Sequence, residues 1–119
     1  HVNRAPIAGV VRRAEYHPGQ KFPAYREKAS ELNEHSVVVI EGAPGTVAYK
    51  QIAGAVARRV VCDLAEGESV ARGQRVGLIK FGSRVDLFLP AGVAVAVREG
   101  EHTRAGSTVV AHFPAEEAR

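Results

Sequence analysis

Along most of the chain, apolar and polar positions alternate in short runs that glycine interrupts. Alternation with a period of two is the mark of a half-buried β-strand. It predicts strands at Gly9–Ala14, Ser36–Glu41, Thr46–Ile52, Arg58–Asp63, Arg75–Ile79, Val85–Leu89, Val93–Arg98 and Thr108–Phe113. These runs are rich in valine and other β-branched residues, which pack well on a pleated surface. One segment breaks the pattern. Pro23 to Leu32 carries good helix formers, with proline near its start and Asn33 after its end, and predicts one short helix. His17-Pro18-Gly19 reads as a turn. The expected fold is mainly β.

The pattern also repeats. Glu66-Gly67-Glu68, Gly73 and Val76 recur 33 positions later as Glu99-Gly100-Glu101, Gly106 and Val109. Each unit reads as a tight glycine turn, a polar crossing, a second glycine turn and an inward-pointing strand. Two such units predict a quasi-symmetric pair of β-layers on one core. The Glu-Gly-Glu-x-x-x-x-Gly pattern resembles the strand-turn unit of biotinyl and lipoyl domains, a flattened barrel-sandwich.

At 119 residues the chain has room for one core. Apolar residues make up 45% and charged residues 24%, which is globular composition rather than disorder. The absence of methionine leads us to expect a processed, trimmed or tagged piece of something longer. The single cysteine, Cys62, excludes an internal disulfide framework and a cysteine-rich zinc site. In Arg59-Val60-Val61-Cys62 it reads as a small buried hydrophobe.

The net charge of +3 is modest, and its arginines are scattered with few aromatics between them. Nucleic-acid binders cluster their basic residues, so nucleic acid is not the expected partner. A mild basic bias suits an anionic membrane surface. The longest nearly apolar stretch, Leu87 to Val97, contains Pro90 and Gly92. It falls short of the roughly 18–20 residues that span a bilayer, so lipid contact is expected to be peripheral.

Standard nucleophile and phosphate-loop motifs are absent from the sequence. The histidines, His1, His17, His35, His102 and His112, do not fall at metal-ligand spacing, and His102 and His112 read as solvated. Phe81-Gly82-Ser83-Arg84, between two strand patterns, reads by itself as a hairpin turn.

Three ordered segments change that reading. They are His1-Val2-Asn3-Arg4-Ala5-Pro6-Ile7-Ala8-Gly9; Tyr16 to Phe22, with Lys28-Ala29-Ser30-Glu31 and Asn33-Glu34; and Gln51 to Cys62, with Gly73 to Asp86. Together they resemble the compact phosphatidylserine decarboxylases and their archaeal-lipid relatives, over nearly the whole chain. The resemblance implies a pyruvoyl enzyme. The Ser83 hydroxyl attacks the Gly82 carbonyl and forms an ester, the ester eliminates, and the remaining dehydroalanine hydrolyses to an N-terminal pyruvoyl group. Glycine suits the first step because it lacks a Cβ and tolerates a strained turn. Serine needs a neighbouring base, since a free hydroxyl is a weak nucleophile.

The pyruvoyl ketone derived from Ser83 would then act as the electron sink for loss of CO₂ from a serine phospholipid. Residues 1–82 would form the β-subunit part and 83–119 the α-subunit part, associating in one catalytic domain. A homodimer at the cytoplasmic side of the cell membrane is the expected setting.

By the same resemblance His1 matches a family histidine and is the candidate for proton transfer. Two departures stand out. Arg4 occupies the place of a second histidine in long-form relatives, and the family's upstream aspartate lies outside the matched region. His17 and Asn33 are candidates for lining the pocket, and Arg4 and Arg84 for pairing with a lipid phosphate. Two other readings stand beside this one. One is a carrier module with Lys80 as the attachment site, although biotin domains flank that lysine with methionine. The other is an inactive structural homologue.

Overall fold

The computed structural model describes residues 2–20, 23, 25–54, 60–79 and 84–114. His1, Lys80, Gly82 and Ser83 therefore lie outside the described residues. The strands are β1 (Val2–Arg4), β2 (Gly9–His17), β3 (His35–Gly42), β4 (Gly45–Ile52), β5 (Val60–Cys62), β6 (Ser69–Val70), β7 (Arg75–Ile79), β8 (Arg84–Phe88), β9 (Ala94–Val95) and β10 (Ala111–His112); the helix is α1 (Ala29–Leu32). The chain is mainly β, as its alternation predicts.

Two sheets enclose the core. One has the order β6-β2-β3-β4-β8 and the other β1-β7-β5, while β9 and β10 form a separate pair. All their strand pairings are antiparallel. Inward positions alternate along β3 and β4. Val38 and Ile40 face Val47 and Tyr49, and with Val11, Val70 and Val76 they form the apolar interior. Burying these side chains is the main favourable term in folding, at about 25 cal/mol per Å² of apolar surface.

The predicted helix shrinks to its last turn. Arg26, Ala29 and Ser30 each donate their N–H to the carbonyl three residues back, and the i to i−4 bonds begin only with Leu32 to Lys28 and Asn33 to Ala29. Such a short, tightly wound stretch is held by packing rather than by propensity. Ala29 is fully buried and is what anchors it. Strand β2 runs three residues beyond the predicted Ala14, because Glu15, Tyr16 and His17 find partners in Val37, Ser36 and His35. The predicted strands at 93–98 and 108–113 shorten to two paired residues each. Strands β1 and β6, too short to show a period, emerge only through their pairing with β7 and β2.

The 33-residue repeat reappears in the backbone. Gly67 and Gly100 share φ of 86°, and Gly73 and Gly106 share φ of 80°. The turn bonds match as well: Glu68 N–H to Ala65 O answers Glu101 N–H to Arg98 O, and Gln74 to Ala71 answers Ser107 to Arg104. Burial does not repeat. Val76 is fully buried, whereas its counterpart Val109 is 56% exposed. The first unit supplies β6 to the five-stranded sheet and runs into β7 of the other, whereas the second lies between β9 and β10 of the separate pair. Arg4 lies between the units. Its Nη1 donates to Gly73 O at 2.9 Å, and a Cβ on Gly106 would come within 2.6 Å of its Cδ.

Candidate active site

Seven strand ends meet at one end of the domain. In the larger sheet, the end of β2, the start of β3, the end of β4 and the start of β8 lie in one row: His17 opposite His35, His35 opposite Ile52, and Ile52 opposite Arg84. In the smaller sheet, Val2 lies opposite Leu78, and Val60 opposite Ile79. The chain leaves β7 at Ile79 and enters β8 at Arg84, so the segment carrying Gly82-Ser83 connects the two sheets at this end.

Among the described residues the buried polar side chains are Asn33, His35, Ser36 and Gln51, and they belong to this same end. A polar group removed from water is tolerated only when it is bonded, and each of these is. Ser36 Oγ donates to Gln51 Oε1 at 2.6 Å. Gln51 Nε2 donates to Asn3 Oδ1 at 2.8 Å and to Val61 O at 3.1 Å. Asn33 Nδ2 donates to Ala53 O at 2.6 Å. His35 Nδ1 lies 2.6 Å from Asn33 O. A carbonyl only accepts, so in the neutral ring Nδ1 carries the proton and Nε2 keeps its lone pair.

The Asn33-Glu34 loop ties four segments together. Glu34 Oε2 accepts from Val60 N–H at 3.1 Å, its carbonyl accepts from Ala53 N–H at 2.9 Å, and its N–H donates to Gln20 O at 3.2 Å. Gly19 passes so close to this loop that a Cβ there would sit 2.3 Å from Leu32 O. His17, two residues earlier, stacks on His35 with centroids 4.8 Å apart. The sequence candidates His17, Asn33 and Arg84 are thus gathered at one end.

Arg84 is engaged with the protein itself. Its Nε and Nη2 grip Asp86 Oδ1 and Oδ2 at 2.5 and 2.8 Å, and its Nη1 donates to Arg26 O at 3.1 Å. Ser30 Oγ donates to Asp86 Oδ2 at 2.9 Å. Arg84 and Ser30 thus fasten helix α1 and the turn before it onto β8. Arg4 points toward the Gly73 turn, the other way along β1. The fork-shaped donors of Arg84 are used inside the domain, while Arg4 gives one N–H to Gly73 O.

Partial burial alone would raise the Asp86 pKa, but the Arg84 and Ser30 bonds and the Arg84 and Lys50 charges outweigh it and hold Asp86 below the usual carboxylate range. A depressed carboxylate stabilises the fold above its unfolded pKa, and that stability is lost as pH falls through the lower folded value. Asp86→Asn is therefore expected to lose about 1–2 kcal/mol near neutrality and to show a weaker fall in stability toward acid than the parent. Urea unfolding at about pH 7 and about pH 3 measures both effects.

Sequence reasoning missed Glu34, His35, Ser36, Gln51 and Asp86 as parts of this end. A signal was present for two of them: Ser36 and Gln51 occupy inward positions of alternating strands, where an apolar residue is the rule.

Comparison with known proteins places this arrangement. The phosphatidylserine decarboxylase family model matches residues 1–111. The chain belongs to the phosphatidylserine decarboxylase family. A phosphatidylserine decarboxylase proenzyme of Salinibacter ruber is 49% identical over 119 residues, covering 99% of this chain and 52% of the relative. The proenzyme so named in Azorhizobium caulinodans is 48% identical over 119 residues, covering 100% and 51%. That of Nitratidesulfovibrio vulgaris is 51% identical over 112 residues, covering 93% and 52%. The chain spans about half the length of the curated relatives it matches. No solved structure shows significant similarity to it.

Proposed function

We propose that the chain is the self-processing part of a pyruvoyl-dependent phosphatidylserine decarboxylase, cut between Gly82 and Ser83. The observation that carries this reading is that seven strand ends and a buried polar network share the end of the domain where β7 stops at Ile79 and β8 starts at Arg84. The relatives' name, proenzyme, agrees with processing.

In the proposed reaction, Ser83 Oγ attacks the Gly82 carbonyl carbon, and the peptide nitrogen leaves as the Ser83 amine. A base, for which His1 is the candidate, takes the Ser83 Cα proton. The ester carboxylate departs with its electron pair, leaving Gly82 as a carboxylate and residue 83 as dehydroalanine. One water then replaces the nitrogen, which leaves as ammonia.

The domain suits such a cut. Strand β7 is held by β1 and β5, and β8 is held by β4 over five paired residues. Leu87, Leu89 and Phe113 of the later piece pack on the core of the earlier one. The two pieces, 1–82 and 83–119, would therefore stay associated.

The residues present fit a pyruvoyl group, since polar side chains and backbone line an end that joins both sheets. When formed, the group supplies an electrophilic carbonyl that accepts the electrons of the breaking bond to CO₂. Asn33, Glu34, His35 and His17, gathered at this end, are the residues that would border it. Asn33 and Glu34 fix the loop facing the start of β5. His35, its Nδ1 bonded to Asn33 O, stacks on His17, and His1 is the candidate for moving the proton that replaces CO₂. Among the described residues no helix is long and apolar enough to cross a membrane. Peripheral contact with an anionic bilayer would bring the serine phospholipid to the site.

The test is decarboxylation by the full-length proenzyme, measured as CO₂ released from vesicles containing phosphatidylserine. Release that a carbonyl reagent such as phenylhydrazine abolishes is the expected result. No release, or release indifferent to the reagent, contradicts the reading.

A further inference from the structure

We infer that Gln51 is a positioning residue for self-cleavage, the side chain that sets the strand entering the cut, the strand leaving it and the strand after His1 in one register. The inference rests on the self-cleavage reading above and adds a residue which that reading does not use.

Gln51 is fully buried on β4, and all of its amide is spoken for. Oε1 is held by Ser36 of β3, while Nε2 is shared between Asn3 of β1 and Val61 O of β5. Its amide lies flush against Gly77 of β7, where a Cβ would come within 2.6 Å of Nε2. Gly77 is in turn the register partner of both Asn3 and Cys62.

Through its backbone, Gln51 pairs with Val85 of β8, two residues after Ser83. One residue therefore touches every strand that borders the cut. Asn3 follows His1 by two residues, Gly77 precedes Gly82 by five, and Val85 lies just beyond Ser83. The two sheets make no backbone ladder with each other. Their offset at this end is set by side chains, and this amide spans them, with Glu34 Oε2 bonded to Val60 N–H beside it.

The geometry also explains why an amide is needed. The site offers one donor, Ser36, on one side and two acceptors, Asn3 Oδ1 and Val61 O, on the other. A carboxylate would face two acceptors without a proton, and an apolar side chain would leave all three groups unmatched. Misplacement by about 1 Å is enough to cost on the order of 100-fold in a reaction that depends on near-attack geometry.

The experiment follows self-cleavage of the full-length proenzyme by gel after in vitro synthesis, well below each variant's melting temperature. Gln51→Met keeps the volume and removes the bonds. Val38→Ala, a buried core truncation on β3, serves as a control that lowers stability without touching the network. The cleavage rate of Gln51→Met is expected to fall at least tenfold, while Val38→Ala stays within about twofold of the parent.

Protein that has cleaved after long incubation gives the second readout. It should show a lowered kcat for the serine phospholipid at unchanged KM, since Gln51 is buried away from any ligand. If Gln51→Met does not fold, Ser36→Ala replaces it. That change removes only the donor holding Oε1 and is expected to slow cleavage severalfold. Parent-like cleavage in the folded Gln51 or Ser36 variant overturns the inference, as does slowing of Val38→Ala to the same degree. Failure of the parent itself to cleave overturns the reading on which the inference rests.

Discussion

Ser83→Ala is expected to leave the full-length proenzyme as one uncut chain without decarboxylase activity. The proposed cut needs an oxygen on the residue after Gly82, both to take the acyl group and to leave with it. Alanine has neither a nucleophile nor a leaving group, and no ketone can form from its methyl side chain under the same chemistry. The expected loss is complete rather than partial, because the reactive group is made from the residue removed. Secondary structure should persist, since β7 and β8 are each held by neighbours that the substitution does not touch. A denaturing gel and a circular dichroism spectrum of the variant check both parts. A folded Ser83→Ala protein that still splits into two pieces contradicts the assignment of the cut.

Gly77→Ala is expected to be among the most damaging single methyl additions to the fold. The added Cβ would lie 2.3 Å from Val61 O and 2.6 Å from Gln51 Nε2. Both are fixed. Val61 belongs to a strand paired with β7 itself, and the Gln51 amide has three bonds to lose. The cost should reach about 3 kcal/mol or more, the upper end for overpacking, a large share of the roughly 5–15 kcal/mol that holds a domain folded.

Gly73→Ala is the contrasting case. Gly73 has φ of 80°, but nothing lies within 4 Å of an added Cβ. Its penalty is only that of a left-handed backbone, about 1–2 kcal/mol. Chemical denaturation of the two variants separates a packing clash from a dihedral cost. Equal losses would contradict the close approach of β4 to β7.

The contrast between these glycines also shows what a sequence can reveal. Gly73 was legible, because a glycine turn that recurs at 33 residues declares its own conformation, and its twin Gly106 shares the same φ. Gly77 was not, because its need for a bare Cα comes from Val61 and from Gln51, 26 residues earlier on a strand of the other sheet. The strand Arg75–Ile79 was read at its observed bounds from its own alternation. The helix before Asn33 was overdrawn, because propensity over Pro23–Leu32 could not foresee that packing fixes only the turn around Ala29.

The site divides the same way. The Gly82-Ser83 assignment comes from a resemblance spread over three segments, and both residues lie outside the described ones. His17 and Asn33 were found by the same route, and the fold brings them together through His35. Glu34, His35 and Gln51 are not assigned to the site from sequence because their partners, Val60, Asn33 O and Asn3, are set by tertiary packing. Arg4 and Arg84 were read as surface cations open to phosphate, and only the structure supplies their partners, Gly73 O and Asp86.

The most direct test of the central claim is the intact mass of the purified full-length protein under denaturing conditions. Two fragments are expected, one ending at Gly82 with a free carboxylate. The other begins at residue 83, is lighter by one ammonia than simple hydrolysis would leave it, resists N-terminal sequencing and reacts with a carbonyl reagent. A single chain, or two fragments with an ordinary serine amine at residue 83, would contradict it.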